Sequence, residues 1–408
     1  MNKNLFLNLG LGLAACAAMS SCNLMHDDME PCAVDPNVSV LVNFVYDYNM
    51  DHEDYFDRMA GSVYLYVFDE NDIFLNRYEK NKVDLDPVSP DFSIMFDAMD
   101  DLNGDIKRGE TYKFIATAQG SHVGYTGEME TPGFKLVDRK GNPYTMIPGK
   151  STLKDYILKL YRDDSMSDEY GVVDYTGEYR GNDAMIDTVW TTKPDEAQVV
   201  TIPFPRAEFD SYNQEPDVVE EVKLPMMRIT NNITVAITTK QMTPGYDPSN
   251  YDIVIYYPKG NGTIDFTGET LEDISEPLYY RALRKVTDVY NTRPTRGSSV
   301  GPDDGNQYAI YATFGVSRMK VDDKCELRIY DGHSHKLLAW VDNFSSYLAE
   351  KGNVDDYGNQ KYDDPQEYLD RQFDFAIDIA LNDDQTIWWK QVMINILMWA
   401  QRDNDIIL

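Results

Sequence analysis

Positive charge is scarce in this sequence: 37 lysines and arginines stand against 69 aspartates and glutamates in 408 residues, for a formal net charge of −32. So acidic a chain repels phosphate backbones and anionic head groups, which excludes a basic nucleic-acid footprint. Long apolar runs are missing too. The apolar stretch at residues 5–19, "LFLNLGLGLAACAAM", falls short of the ~20 residues a membrane-spanning helix needs, and no later stretch approaches that length. Histidines number five and cysteines four. His333 and His335 sit in a polar turn without a Cys, Asp or Glu set at structural-zinc spacing, so no metal site is expected.

The early apolar stretch follows Lys3 and ends in Met19-Ser20-Ser21-Cys22. Its length and flanks are those of an export signal. Its end resembles the lipobox of bacterial lipoproteins, with Met19 where leucine is more usual. That resemblance implies cleavage between Ser21 and Cys22, with a diacylglycerol and an N-acyl chain on Cys22 and no other cofactor. Each buried methylene contributes about 0.8 kcal/mol, so two or more chains make a stable attachment. Asp27, Asp28 and Glu30 resemble the signal that sends some Gram-negative lipoproteins to the outer face of the outer membrane. Residues 1–21 are therefore expected as signal peptide and 22–32 as a lipidated acidic tether. Cys16 leaves with the signal, so Cys32 and Cys325 remain. In an oxidising compartment they form one disulfide or stay as two buried thiols.

Beyond Cys32 the pattern is that of strands. Val38, Val40, Val42, Phe44, Tyr46 and Tyr48 alternate along 38–48, a half-buried strand. Residues 62–79 read as two strands joined at "DEND", and 111–120 as another. A helix is expected over 151–160, where Leu153, Tyr156, Ile157 and Leu160 fall at i, i+3, i+4 and i+7 behind Ser151 as N-cap. A strand is expected near 197–204. The acidic run 214–223, "QEPDVVEEVK", reads as a link between domains. A second β-rich half follows, with strands in 226–239, 251–266, 307–316, a hairpin over 325–341 bending at Asp331-Gly332, and strands in 373–381 and 388–400. Regular strands with polar turns predict a mainly β protein of two sandwiches with few short helices, 33–213 and 224–408.

Motifs for chemistry are absent. "PGKST" (148–152) resembles the end of a phosphate loop, but Tyr144 stands where that motif needs glycine. The acidic clusters 100–105 and 353–364 miss the EF-hand pattern and read as solvated turns. Tyr64, Tyr66 and Phe68, like Trp388, Trp389 and Trp399, read first as core and second as sugar-stacking platforms.

A lipobox cysteine, a second cysteine ten residues on, a strand ending "FVYDYNM", the acidic turn "DHEDYFDRMAGSV" and "YLYVFDENDIFL" form one ordered signature. It resembles the FimB-type anchor subunits of the type V fimbriae of Gram-negative anaerobes. "TYKFIATAQG", "LPMMRITNNITVAI" and "VMINILMWAQRDNDIIL" are similar to later family segments. The resemblance implies two transthyretin-like β-sandwich domains and no catalysis. It also implies an outer-membrane lipoprotein that holds the base of a fimbrium, limits its length, and joins the first stalk pilin by strand complementation. In that family a protease specific for arginine or lysine removes the first strand of each stalk pilin. Here no lysine or arginine occurs between Asn23 and Asp57, and Arg58 lies past the first strand. Val392, Ile394, Ile396 and Met398 alternate near the carboxy terminus, either as a donor strand or as the last strand of the second sandwich. The rival readings are a polymerising stalk or tip pilin and a surface glycan-binding lipoprotein or glycosidase.

Overall fold

A computed structural model describes residues 38–98, 106–107, 109–120, 134–160, 188–193, 199–202, 218–239, 242, 245–271, 277–282, 284–289, 308–355 and 357–381. The first half contributes β1 (Val38–Val45), a single-turn helix α1 (Phe56–Met59), β2 (Ala60–Asp69), β3 (Phe74–Asn81), β4 (Ile94–Ala98), β5 (Thr111–Gly120), β6 (Phe134–Leu136), β7 (Ile157–Leu160), β8 (Val189–Thr192), β9 (Val199–Thr201) and β10 (Val218–Arg228). The second half contributes β11 (Thr230–Thr239), β12 (Tyr251–Tyr257), β13 (Thr263–Asp265), β14 (Leu278–Arg281), β15 (Arg284–Val289), β16 (Tyr308–Ser317), β17 (Glu326–Asp331), β18 (Leu337–Val341), α2 (Phe344–Gly352), α3 (Pro365–Arg371) and β19 (Asp374–Leu381). The protein is mainly β, as its alternating pattern predicts.

The chain divides into two compact units. The smaller comprises the described parts of 1–41, 95–110 and 201–221. In it Gly109 N–H donates to the Ile202 carbonyl at 2.8 Å and Ile202 N–H to that of Glu110 at 3.0 Å. The larger comprises the described parts of 42–94, 111–200 and 222–408, and holds the main core.

The largest sheet has the order β3-β2-β5-β8-β10-β1-β4, with β9 alongside β5. β2 and β3 form the expected hairpin, with Asp69 Oδ1 accepting from the amides of Asn71 (2.9 Å) and Ile73 (2.8 Å). In the second half, sheet β15-β16-β11-β19 and sheet β14-β12-β17-β18 send their alternate side chains into one core. Ile233, Val235 and Ile237 of β11 face Phe314, Ala312 and Ile310 of antiparallel β16, and Phe375, Ile377 and Ile379 of parallel β19. Burial of every second residue is what the period of a one-face-buried strand requires.

The expected helix over 151–160 does not form. Residues Leu153–Asp155 make one 3₁₀ turn, closed by the Asp155 carboxylate, which accepts from Thr152 N–H (2.8 Å) and Oγ1 (2.9 Å). β7 follows, paired on one side with β6 and on the other with β13. Ile157, Leu158 and Leu160 are all buried, so a strand enclosed on both faces mimics a helical apolar run. Residues 218–223 of the acidic run expected as linker lie in β10, where Val222 and Leu224 point inward and Glu221 and Lys223 outward. The expected strand 388–400 lies outside the described residues.

The β7–β13 pairing joins the two halves: Lys159, Leu158 and Ile157 register with Thr263, Ile264 and Asp265. The core accordingly runs from Tyr66 to Leu381 as one cluster. We expect Leu158→Ala to cost about 2–5 kcal/mol and to lower one shared thermal transition in calorimetry. Two transitions, of which only one moves, would contradict a shared core.

Candidate functional site

β1 lies between β10 and β4 in its sheet, with Val42, Phe44 and Tyr46 buried. The chain then enters a hydrogen-bonded loop before α1. Asp54 Oδ1 accepts from Tyr46 N–H (2.9 Å) and Phe56 N–H (3.0 Å). Asn49 Nδ2 donates to the carbonyls of Tyr46 (3.0 Å) and Glu53 (2.8 Å), and its Oδ1 accepts from Asp51 N–H at 3.0 Å. This local competition for backbone groups ends the strand. α1 inserts Phe56 among Phe44 (centroids 5.4 Å apart), Phe92 (5.9 Å) and Trp190 (6.0 Å).

The loop presents Tyr48, Asn49 and Met50 to helix α3 and the turn before it. The Arg371 guanidinium lies 4.2 Å from the Tyr48 ring centroid, and its Nη1 donates to the Asn49 carbonyl at 3.4 Å. Lys193 approaches the same ring at 4.3 Å, and Tyr362 OH reaches Met50 Sδ at 3.7 Å. Burial, then the nearby Asp370 carboxylate, pushes the Tyr48 phenol up to about 12. Beneath this contact Arg318 and Asp370 form a bidentate pair, Nε–Oδ1 and Nη2–Oδ2 both 2.7 Å, with side chains 11% and 6% exposed. Burial opposes the Arg318 charge, but the hydrogen bond and the charge of Asp370 outweigh it and raise its pKa. The end of β1 is thus pinned to the second half by a cation–π contact over a buried ion pair.

Ser21, Cys22, Cys32, Val392, Ile394, Ile396 and Met398, the residues expected to carry lipid, disulfide or donor strand, lie outside the described residues. Cys325 is fully buried next to α2, and its Sγ accepts from Ser345 N–H at 3.3 Å. Burial pushes its thiol up to about 11. Tyr66 and Phe68 are core, and Tyr64 is half-buried, with its ring 5.9 Å from that of Phe134. Trp388, Trp389 and Trp399 lie outside the described residues. Two tryptophans were not singled out from the sequence: Trp190 is fully buried, whereas Trp340 on β18 is 58% exposed. Its alternation with buried Ala339 and Val341 was the available signal.

The other polar motifs make turns. Asp331 Oδ1 accepts from the amides of His333 (3.1 Å) and Ser334 (2.6 Å), and His333 Nε2 is 2.8 Å from Asn250 Oδ1. Gly332 is required at this bend, since a Cβ there would stand 1.8 Å from the Ser249 carbonyl oxygen. In the acidic stretch 353–364, Asp355 Oδ1 accepts from the amides of Tyr357 (2.9 Å) and Asn359 (2.8 Å), a solvated turn. Among the described residues no group of three or more His, Cys, Asp or Glu is placed to hold a metal. No helix among them is long and apolar enough to cross a membrane.

A family model for the fimbrillin-A associated anchor proteins Mfa1 and Mfa2 matches residues 29–405. The chain belongs to that family. It is a family of fimbrial anchor proteins, which gives this Mfa2-family chain a place at the cell envelope and a fimbrial subunit as partner. A candidate adhesin from Bacteroides thetaiotaomicron is 19% identical over 90% of this chain and 98% of its own, with a TM-score of 0.61. A protein from the same species, described as a candidate polysaccharide-binding protein, is 21% identical over 88% and 96%, with a TM-score of 0.58. The fimbrial anchor protein Mfa2 from Porphyromonas gingivalis is 14% identical over 84% and 90%, with a TM-score of 0.49. At these identities the first two likenesses are of fold. No curated protein matches the sequence.

Two outcomes follow from the geometry. Asp370→Ala leaves Arg318 buried without its counter-ion and should cost about 3–5 kcal/mol in urea unfolding, whereas a loss below 1 kcal/mol would mean water reaches the pair. Cys325 should resist alkylation at pH 8 in the folded protein and react once unfolded without reductant. A thiol that stays unreactive until reductant is added would instead be disulfide-bonded.

Proposed function

We propose that this chain is the lipid-anchored base subunit of a fimbrium, held in the outer membrane through Cys22 and facing the cell surface. Membership of the anchor family supports the role, and the lipobox-like ending at Ser21-Cys22 supports the mode of attachment. The observation that carries the reading is the first strand. β1 fills its own place in the sheet, its exit loop is fastened to α3, and residues 23–57 offer no lysine or arginine to a trypsin-like protease. A subunit that keeps this strand has no open groove for an incoming one, so it can terminate a fibre and cannot propagate it through that site. A polymerising stalk or tip pilin requires the strand to be lost.

The joint to the first stalk pilin is then β-strand addition, in which main-chain hydrogen bonds bind and alternate side chains select. Val392, Ile394, Ile396 and Met398 supply the alternation on this side. A base joined to one subunit at this end, with its first strand kept, offers no second site for strand addition there, which supports a role in limiting fibre length.

Cell fractionation tests the reading. Cys22→Ala should move the protein, and fimbriae with it, from the membrane to the medium; retention in the detergent-extracted membrane fraction would refute lipid anchoring. Intact mass of the native protein should give an acylated chain starting at Cys22 and still holding residues 23–57. A lipid-free chain starting beyond β1 would make it a processed pilin.

A further inference from the structure

Sheet β14-β12-β17-β18 has a second face. Its inward residues, among them Tyr251, Ile253, Ile255, Leu327 and Ile329, belong to the core. The alternate residues form the other face and mix rings with charges, Tyr256, Tyr279 and Trp340 with Asp252, Arg281, Glu326 and Arg328, around the fully buried Val254, whose cross-strand partners are Arg281 and Arg328. Tyr256 on β12 pairs across strands with Tyr279 on β14, their rings stacked with centroids 4.4 Å apart at 28°. The Arg328 guanidinium of β17 lies 4.1 Å from the Tyr256 centroid. Register sets Trp340 directly opposite Arg328 on the other side, at the sheet edge. The guanidinium is immobilised: Arg328 Nε donates to Glu326 Oε2 at 2.7 Å. Arg281, next to Tyr280 on β14, donates in the same way to Asp252 Oδ2 at 3.2 Å, a carboxylate that Lys285 also approaches at 3.8 Å.

We propose that this outer face is a binding platform for an uncharged, extended polysaccharide. Cross-strand packing accounts for Tyr256 and Tyr279 but not for Trp340, most of whose surface is in water. The charges select against the alternatives. Both guanidinia are already paired with carboxylates on the same face, in a chain of net charge −32, so a polyanion gains no free cation here and meets long-range repulsion. A protein partner needs a dry apolar centre, whereas here the rings alternate with ion pairs that would be costly to desolvate. A sugar ring meets both requirements at once. Its C–H face stacks on an aromatic ring, and its in-plane hydroxyls exchange hydrogen bonds with a fixed guanidinium and carboxylate. Tyrosine and tryptophan lose little side-chain entropy in doing so. The face is a sheet and not a pocket, which suits internal units of a polymer over a free monosaccharide. The platform shares no residue with the contacts that fasten the end of β1, so it adds a surface-binding activity to the proposed anchor.

The test is native electrophoresis of the full mature chain in gels cast with mannan, xylan, mixed-linkage β-glucan or amylopectin, and with polygalacturonate as the polyanion. At least one neutral polymer should retard the protein, and Trp340→Ala and Tyr256→Ala should each weaken retardation by about tenfold or more. Trp340→Ala removes an exposed side chain and should leave Tm unchanged, which separates lost binding from lost fold. Arg328→Lys keeps the charge but loses the planar fork, and should also weaken retardation. No retardation by any neutral polymer, retardation that survives both aromatic substitutions, or retardation by polygalacturonate alone would each overturn the proposal. So would a Trp340→Ala variant that binds no less glycan but releases a co-purifying fimbrial subunit. Failure of Cys22→Ala to free the protein leaves this outcome untouched.

Discussion

The pairing of β7 with β13 is the constraint on which the rest of the larger unit depends. Seven residues, Ile157–Leu160 and Thr263–Asp265, bring together segments about a hundred positions apart, and do so in the middle of a three-stranded sheet. Such a link costs loop-closure entropy once, and that cost grows slowly with the length of chain enclosed. Once formed, it lets Tyr66, Tyr156 and Leu158 pack into the same cluster as Ile264 and Leu278. The two halves thus share part of one core, and the hydrogen bond from Leu160 N–H to the Gly262 carbonyl (2.8 Å) extends the seam by a further residue.

Among the described residues, several of the scarce cations have a defined place. Arg318 lies against Asp370, Arg371 and Lys193 lie over Tyr48, and Arg228, only 4% exposed, has its guanidinium 4.4 Å from the Phe373 ring. In a chain with so many carboxylates, a lysine or arginine buried at random would find a partner anywhere. These instead collect where the first half meets the second, and they use aromatic faces as often as carboxylates. Ring contacts keep their strength in salt better than exposed ion pairs do, which suits a surface protein.

Much of the fold is legible in the sequence, and the failures have a common cause. Residues 38–48, 62–79, 111–120 and 226–239 read as strands and the structure places strands in all of them, the first by alternation and β2 and β5, buried almost throughout, by their β-rich composition between polar turns. Residues 151–160 misled because Ile157 and Leu158, adjacent in sequence, are both enclosed, and two buried faces leave no period to read. β10 misled in the opposite sense: Glu221 and Lys223 on its outer side resemble a solvated linker, although Val222 and Leu224 carry the inward pattern. The site was less accessible still. The Arg371–Asn49 contact joins residues 322 apart, a pairing that no local signal predicts. Trp340 was not singled out, and its exposure on an edge strand shows only in the structure.

β19 runs parallel to β11 over eight registered residues, Asn232–Thr239 against Asp374–Leu381. Under the proposed anchoring, this arrangement would carry load. β11 continues from β10 at its beginning, while the chain leaves β19 at its end, so tension between the membrane side and the distal side pulls the two strands along their length in opposite directions. Every bond of the ladder is then stretched at the same time, in shear. An antiparallel hairpin pulled from its open end would instead release its bonds one after another, like a zip. A fibre tethered through this pair would fail abruptly at high force, with little stretching beforehand.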